Sequence, residues 1–414
     1  MDKLNVYDKS RSLYNRALKC IPQGVYGHLG PSNGCMIPVD YYPIFSQKAK
    51  GAYFWDVDGN KFLDYMCAYG PNILGYNDED VDKAALAQLK KGNCTTIPDS
   101  VLVDFAELLT DTTGKDWAFF AKNGGDVTAL SVLTARAATG RKKIVMVKGG
   151  YHGVAPWMQK LGYAGVVEED VGNNLYVHWN DIKEFEDLIS KYPGQIAAFI
   201  STPYYHPTFE DNKLPAENYW KGIRDLCTKH GIVLIFDDIR CGFRLNIAGS
   251  DAHYGVKADL ITFCKAIANG YNVSALCGVD SLKGAVSDVF YTGSYWMSAE
   301  PFAAGVACIN KMKRENTIAT LRFTADKLHG GLKEVAKKNG REIVITGEPV
   351  MWYMRHTNDE NFFMHQAWVA ECVRRGVFFA NHHNHFVNSA ITDEDIAFTL
   401  DVADRAYKAI KDKF

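Results

Sequence analysis

No stretch of this 414-residue chain approaches the eighteen or so unbroken apolar residues of a membrane span, so a bilayer is not an expected partner. Charge of one sign is also missing. Lys and Arg number 46 against 48 Asp and Glu, a formal −2, which leaves no basic footprint for nucleic acid. The ten cysteines include no Cys-x-x-Cys pair. Scattered in this way they suit reduced core thiols rather than a disulfide framework or a zinc site. Met1–Asp8 has no apolar signal-peptide core, and the expected compartment is the cytoplasm. Repeats, low-complexity tracts and charge blocks are absent. What is there is 47% hydrophobic and 23% charged, ordinary for a soluble globular protein and enough for a large core with a subsidiary domain.

The patterning places a helix over 8–20 and a hairpin over 51–65, with Asp58-Gly59-Asn60 as its turn. Helices follow over 79–91 and 99–113. From Trp117 the chain alternates strands and helices, with strands at 117–121, 143–147, 196–200, 233–236 and 260–263. That alternation predicts an α/β fold with a doubly wound, mainly parallel sheet. One long helix is expected after Pro301, then a smaller α+β unit. Asp393-Glu394-Asp395 suit the first turn of a terminal helix through its dipole. The expected domains are an N-terminal segment, 1–75, joining the small domain, a large domain over 76–305, and a C-terminal α+β domain over 306–414.

The chemistry is concentrated in one stretch. Gly231-Ile-Val-Leu-Ile-Phe-Asp237-Asp238 reads as a buried parallel strand ending on two carboxylates, where open α/β sheets place their ligands. Asp259-Leu-Ile-Thr-Phe-Cys-Lys265 delivers a lysine into a turn marked by Asn269-Gly270. In an apolar setting such a lysine gives up its proton and becomes an amine nucleophile. A carboxylate facing a ring nitrogen, with a Schiff-base lysine beside it, is the pair that pyridoxal phosphate chemistry requires. A helix cap and a solvated helix end are the alternatives for an Asp and a Lys taken singly.

Other constellations add to this. Asn123-Gly124-Gly125-Asp126, between a strand and a helix, offers backbone N–H groups to a phosphate, or is a plain turn. Tyr151, in Gly149-Gly150-Tyr151-His152-Gly153, can stack on a flat ring or be an ordinary loop residue. His382-His383-Asn384-His385 lacks the spacing and companions of a metal site and reads as a loop near a site mouth or as surface; no metal is expected. Arg240, Arg244 and Arg355 can each clamp a carboxylate or phosphate, with a surface or structural role the alternative for each.

In this order the pieces resemble the class III aminotransferases among the fold-type I pyridoxal phosphate enzymes, and within them the glutamate-1-semialdehyde aminomutase-like branch. The resemblance covers nearly the whole chain. It is carried by Gly51–Asp64, Ala68-Tyr69-Gly70-Pro71 with Leu74-Gly75, Leu234–Asp238 with Gly242-Phe243-Arg244, Phe263–Gly270, and Phe386–Ile396. It implies that Lys265 carries the Schiff base and shuttles the proton, and that Asp237 pairs with the ring nitrogen. Tyr151 and His152 would contact the ring, and Asn123, Gly124 and Gly125 the phosphate. It also implies a homodimer with composite sites, in which Ser294, or Thr292, crosses to the partner's phosphate. Tyr26, His28, Tyr69, Arg240 and His383 are the substrate-lining candidates, with Tyr295-Trp296 as a possible aromatic wall.

The departures are specific. The family's Asn-Ser-Gly-Thr-Glu becomes Lys122-Asn-Gly-Gly-Asp126, so phosphate binding must lean on backbone amides and Asn123. Asp238 stands where relatives have Glu, and Thr202-Pro203 where they often have Glu-Pro. His383-Asn384-His385 replaces the aminomutase's acidic residue, which points to another substrate. The expected function is a pyridoxal-phosphate-dependent aminotransferase acting on a small-molecule amine donor and a carbonyl acceptor. The alternatives are an intramolecular aminomutase, a racemase or decarboxylase on the same scaffold, and a non-catalytic protein that keeps the scaffold.

Overall fold

The structure, a computed structural model, describes residues 4–25 and 41–414. It divides into two compact units. One holds the described residues up to Asp78, His206–Asn212 and Ala319–Phe414; the other holds Glu79–Tyr205 and Lys213–Ile318. The larger unit runs to Ile318 and includes the helix Ala299–Arg314. The single long helix expected there is two, Ala299–Arg314 and Thr317–Lys338, broken at Asn316, whose φ is +47°.

The smaller unit opens with helix α1, Asp8–Ala17, and the antiparallel strands β1 (Ser46–Lys50), β2 (Tyr53–Asp56) and β3 (Lys61–Asp64). The expected hairpin turn forms. Asp56 Oδ1 accepts from the N–H of Asp58 at 3.0 Å and of Asn60 at 2.8 Å, and Gly59 takes φ +89°. Asp58 then caps α1 from 49 residues away, accepting from Lys9 N at 2.7 Å with Oδ1 and from Ser10 N at 2.9 Å with Oδ2.

Past β3 the backbone enters a left-handed turn. Cys67, Ala68 and Tyr69 have φ of +46°, +54° and +65°, and Gly70 follows at +110°. Three consecutive L-residues in this region cost about 1–2 kcal/mol each. The chain exits through Gly75, φ +91°, where a Cβ would lie 2.9 Å from the Gly51 carbonyl oxygen.

Seven strands make the sheet of the larger unit. They are β4 (Trp117–Ala121), β5 (Lys143–Val147), β6 (Asn174–Val177), β7 (Ile196–Ser201), β8 (Val233–Asp237), β9 (Leu260–Phe263) and β10 (Ser274–Gly278). Their order is β4-β10-β9-β8-β7-β5-β6, with β10 antiparallel to both neighbours and the rest parallel. Every residue of β7, β8 and β9 is buried, as central parallel strands covered on both faces require. Helix α2 (Glu79–Lys91) and helix α3 (Val101–Thr113) precede the sheet, and α4 (Gly124–Thr139) follows β4 and ends on Gly140 at φ +67°. This is the expected α/β architecture. No helix among the described residues is long and apolar enough to cross a membrane.

The smaller unit closes with β11 (Ile343–Glu348), β12 (Met351–His356), β13 (Val377–Phe378) and β14 (His385–Phe386). β13 runs parallel to β3, and β12 pairs with both β11 and β14. The terminal helix Asp393–Ile410 starts in a capping box. Thr392 Oγ1 accepts from Asp395 N at 3.2 Å, and Asp395 Oδ2 from Thr392 N at 2.9 Å.

Candidate active site

Asp237 ends β8 beside Thr262 of β9 and is almost fully buried. Its Oδ2 receives the His152 Nδ1–H at 2.6 Å, and its Oδ1 the Ile239 N–H at 3.3 Å. His152 is equally buried, and its Nε2 has no partner among the described residues. A carboxylate acceptor on Nδ1 sets the imidazole as the Nδ1–H tautomer. The loop that carries His152 is tied to α4 by Thr128, whose hydroxyl donates to the His152 carbonyl at 2.6 Å. Asp237 and His152 thus form a buried dyad at the carboxyl end of the sheet.

Asp238 behaves differently. It is fully sequestered and accepts from Ser250 N at 2.8 Å and Ser250 Oγ at 2.5 Å. Burial pushes its carboxyl well up, against the Ser250 hydrogen bonds. Gly242 lets the following turn close. Its N–H donates to the Asp238 carbonyl at 2.7 Å, and a Cβ would stand 2.6 Å from that oxygen.

Lys265 starts a single 3₁₀ turn, Lys265–Ala268, with φ +47°, a conformation rare for a side chain of this size. It is half-buried. Burial pushes its amine down, and the Arg240 guanidinium pushes it further, with Cys264 and Asp237 opposing. Arg240 is half-buried on the turn after β8, close to Asp237, Tyr151 and Tyr204. A low-proton-affinity amine, a buried carboxylate and a guanidinium therefore meet in the larger unit.

Asn123, Gly124 and Gly125 lie at the start of α4. Asp126 Oδ2 accepts from Asn123 N at 2.8 Å and Asn123 Nδ2 at 3.5 Å, so the turn is braced by its own carboxylate. The packing here is close, and at Gly153 a side chain would meet backbone. A Cβ on Gly124 would stand 2.7 Å from Ile239 Cδ1, and one on Gly153 2.8 Å from the Gly125 Cα. Two loops thus meet glycine to glycine at a helix N-terminus, a cradle for an anionic group. Lys122, just ahead of it, was read only as a substitution. Its enclosed ammonium has no hydrogen-bond partner among the described residues and is pushed down by burial to about 8.

Tyr151 is 63% exposed. Thr292 and Ser294 are exposed on the loop before the helix Ala299–Arg314, where Cys94 Sγ donates to the Ser294 carbonyl at 3.6 Å. Tyr295 is open, whereas Trp296 packs on Tyr291 with centroids 5.0 Å apart.

The other candidates lie elsewhere. Tyr69 and His383 belong to the smaller unit, edge to face with centroids 5.2 Å apart. Tyr26 and His28 lie outside the described residues. His382, His383 and His385 are buried, which overturns the surface reading of that run. Arg355 is held bidentately by Asp211 at 2.8 and 2.7 Å and so has its carboxylate inside the fold; Arg244 is completely buried.

A half-buried amine, a carboxylate fixed by an imidazole and a glycine cradle fit pyridoxal phosphate, which needs a carbonyl partner, a ring-nitrogen partner and a phosphate seat. The Aminotransferase class-III family matches residues 36–406, and this chain belongs to it. It is a pyridoxal-phosphate-dependent aminotransferase. Aminopentol aminotransferase of Sphingopyxis macrogoltabida is 37% identical over 97% of this chain and 94% of its own length. Glutamate-1-semialdehyde 2,1-aminomutase of Desulforamulus reducens is 29% identical, over 97% of this chain and 98% of its own. The solved structure of the Sphingopyxis sp. MTA144 FumI protein in its PLP internal aldimine form superposes with a TM-score of 0.94 at 37% identity. It covers 98% of this chain and 97% of that one.

Proposed function

We propose that this aminotransferase takes its nitrogen from a primary amine on a hydroxylated carbon chain and passes it to a small keto acceptor, with Lys265 moving the proton. The observation that carries the assignment is Lys265 itself. Its amine is pushed down by burial and Arg240, beside the Asp237–His152 dyad. An amine that sheds its proton readily is a nucleophile and a general base in one group.

Bound pyridoxal phosphate supplies a carbonyl that condenses with amines and a ring that draws electrons from the neighbouring carbon. Asp237 would hold a proton at the ring nitrogen, and His152 fixes the orientation of that carboxylate. Gly124 and Gly125 offer N–H groups to the phosphate, with Asn123 at their edge. Tyr151 would cover the ring face. Lys265 would take the proton from the donor carbon and return it to the carbon on the far side of the nitrogen, a 1,3-shift.

The 37%-identical aminopentol aminotransferase supports a hydroxylated amine donor and exchange between two molecules. The aminomutase-like branch rests on the 29% likeness, and this chain lacks the aminomutase's acidic residue, which His383-Asn384-His385 replaces. The two compact units are our reading of the two domains, the larger one binding the cofactor. We read the chain as a cytoplasmic homodimer. Phe290, Ile97 and Tyr295, at 93%, 75% and 71% exposure, support a covered face on the larger unit that carries Thr292 and Ser294.

The test is the half-reaction with 3-amino-2-butanol. The absorbance of the lysine-bound cofactor should fall with the amine and return on adding pyruvate. If no amine in a broad panel bleaches it, the donor reading is wrong. If product keeps its own nitrogen with no acceptor present, the enzyme is a mutase.

A further inference from the structure

We propose that Asp238 and Ser250 form a clasp that closes the loop between them and so holds Arg240 in place beside Lys265, which makes both of them positioning residues for that lysine. The role of Lys265 rests on the function proposed above. The geometry of the clasp does not.

The two cations leave neighbouring strands in step. Asp237 pairs with Thr262 across the parallel strands β8 and β9. Arg240 and Lys265 each follow three residues later. Neighbouring strands lie about 5 Å apart, so both residues start from the same end of the larger unit. The charge of Arg240 is felt at the Lys265 amine, together with those of Cys264, Asp237 and Arg244. A guanidinium does not titrate in the working range of pH, so Arg240 is a fixed positive charge. Like charges repel, and the position of Arg240 therefore sets how firmly Lys265 keeps its proton.

The loop that carries Arg240 is fastened end to end. Asp238 and Ser250 are 12 residues apart, and both are fully buried. Asp238 Oδ2 accepts from Ser250 N at 2.8 Å, and Oδ1 from Ser250 Oγ at 2.5 Å. The backbone is tied at the same point. Asp238 N donates to the Thr262 carbonyl at 3.1 Å, and its carbonyl accepts from Gly242 N at 2.7 Å. A segment of this length with its ends joined is an Ω-loop. Cys241–Leu245 are buried within it, and Phe243 packs on Phe263 with centroids 4.8 Å apart. Phe243 does so at φ +62°, a strained setting for a bulky residue. Ile239 abuts Gly124 at the start of α4. The residues on either side of Arg240 are thus pinned.

The clasp is electrostatically unfavourable. Burial pushes the Asp238 carboxyl up, and Asp251 and Asp237, of the same sign, add to it; the two Ser250 donors oppose them. Asp251 has its own partner in Lys115, at 2.8 Å, which leaves Asp238 to Ser250. Strain kept where a neutral side chain would relieve it marks a contact whose geometry is used.

The experiment is a double-mutant cycle on the holoenzyme, with wild type, Ser250→Ala, Arg240→Met and both together. Hydrogen exchange reads the loop. The midpoint of the pH titration of the lysine-bound cofactor's absorbance reads Lys265. In Ser250→Ala the amides of residues 239–249 should exchange about 10-fold faster or more, with the sheet unchanged. The midpoint should rise by about 0.5 pH unit, because Arg240 is no longer held close. Arg240→Met should raise it further, and adding Ser250→Ala to it should then change nothing. A Ser250→Ala shift that adds in full to that of Arg240→Met overturns the proposal, since Ser250 would then act on Lys265 without Arg240. An unchanged midpoint or an unchanged exchange rate in Ser250→Ala does so too. Should Ser250→Ala fail to accumulate, Asp238→Asn, which keeps the size of the side chain, takes its place in the cycle. If wild type forms no lysine-bound chromophore with pyridoxal phosphate, the functional reading fails and the link to Lys265 fails with it. The exchange rates still decide whether the clasp holds the loop.

Discussion

His152 Nδ1 lies 2.6 Å from Asp237 Oδ2, with both side chains closed off from solvent. The bond crosses 85 residues of sequence and leaves Oδ1 turned to the Ile239 N–H. His152→Ala should therefore weaken cofactor retention about 10–100-fold, the usual cost of losing a partner that orients a ligating group. Equilibrium dialysis against pyridoxal phosphate measures it. Asp237→Asn keeps the shape and removes the charge, so its loss should appear mainly in kcat.

Lys265 and Arg240 make a prediction about pH. Burial holds the lysine amine down, and the guanidinium lowers it further. Arg240→Met removes that charge, so the amine keeps its proton to higher pH. The acid limb of kcat/KM should shift upward, and Arg240→Lys should restore most of the original profile. Lys265→Ala should abolish the lysine-bound chromophore while the fold, followed by circular dichroism, persists.

Gly153 has φ +125°, and a Cβ there would meet the Gly125 Cα at 2.8 Å. Gly153→Ala should cost about 1–3 kcal/mol in backbone strain and push the two loops apart. Cofactor Kd should rise about 10-fold, equivalent to about 1.4 kcal/mol. Gly255→Ala, which meets nothing within 4 Å although its φ is +65°, is the control for strain without that contact.

A buried imidazole pair makes the smaller unit acid-sensitive. His356 Nδ1 and His365 Nδ1 are 2.9 Å apart, and His356 Nε2 is 2.8 Å from the Tyr407 hydroxyl. Two facing Nδ1 atoms share one proton, so a second proton breaks the contact. Burial pushes His356 down to about 4 and His365 well below its ordinary value. The unfolded chain binds these protons near pH 6.5, whereas the folded one refuses them, so stability falls as pH drops from 6.5 toward 4. His356 alone accounts for about 3 kcal/mol over that window. Urea melts at pH 7 and pH 4.5 should show the loss, and His356→Asn should flatten it.

Much of this was legible in the residues. Unbroken apolar runs announced β7, β8 and β9, Asp58-Gly59-Asn60 announced its hairpin turn, and Asp393-Glu394-Asp395 the start of the last helix. The residues brought together in the larger unit, Asp237, His152, Lys265, Arg240 and the glycines at 124–125, all stood out as motifs. These signals are local, because a period, a turn or a cap is written within a few residues.

What only the tertiary structure decided is which charges find each other. Arg355 offered either a ligand clamp or a structural role, and Asp211, 144 residues away, takes it bidentately. The histidines at 382–385 read as a loop near a site mouth or as surface, and their burial removes the second. Asp58 serves both its hairpin and the start of α1, and Asp64 stabilises a turn that the side chains within it disfavour. Sequence by itself determined the order of elements and the chemistry of the cofactor. Partner choice across long separations depends on where the packed elements bring side chains within hydrogen-bonding reach, and that is a property of the fold.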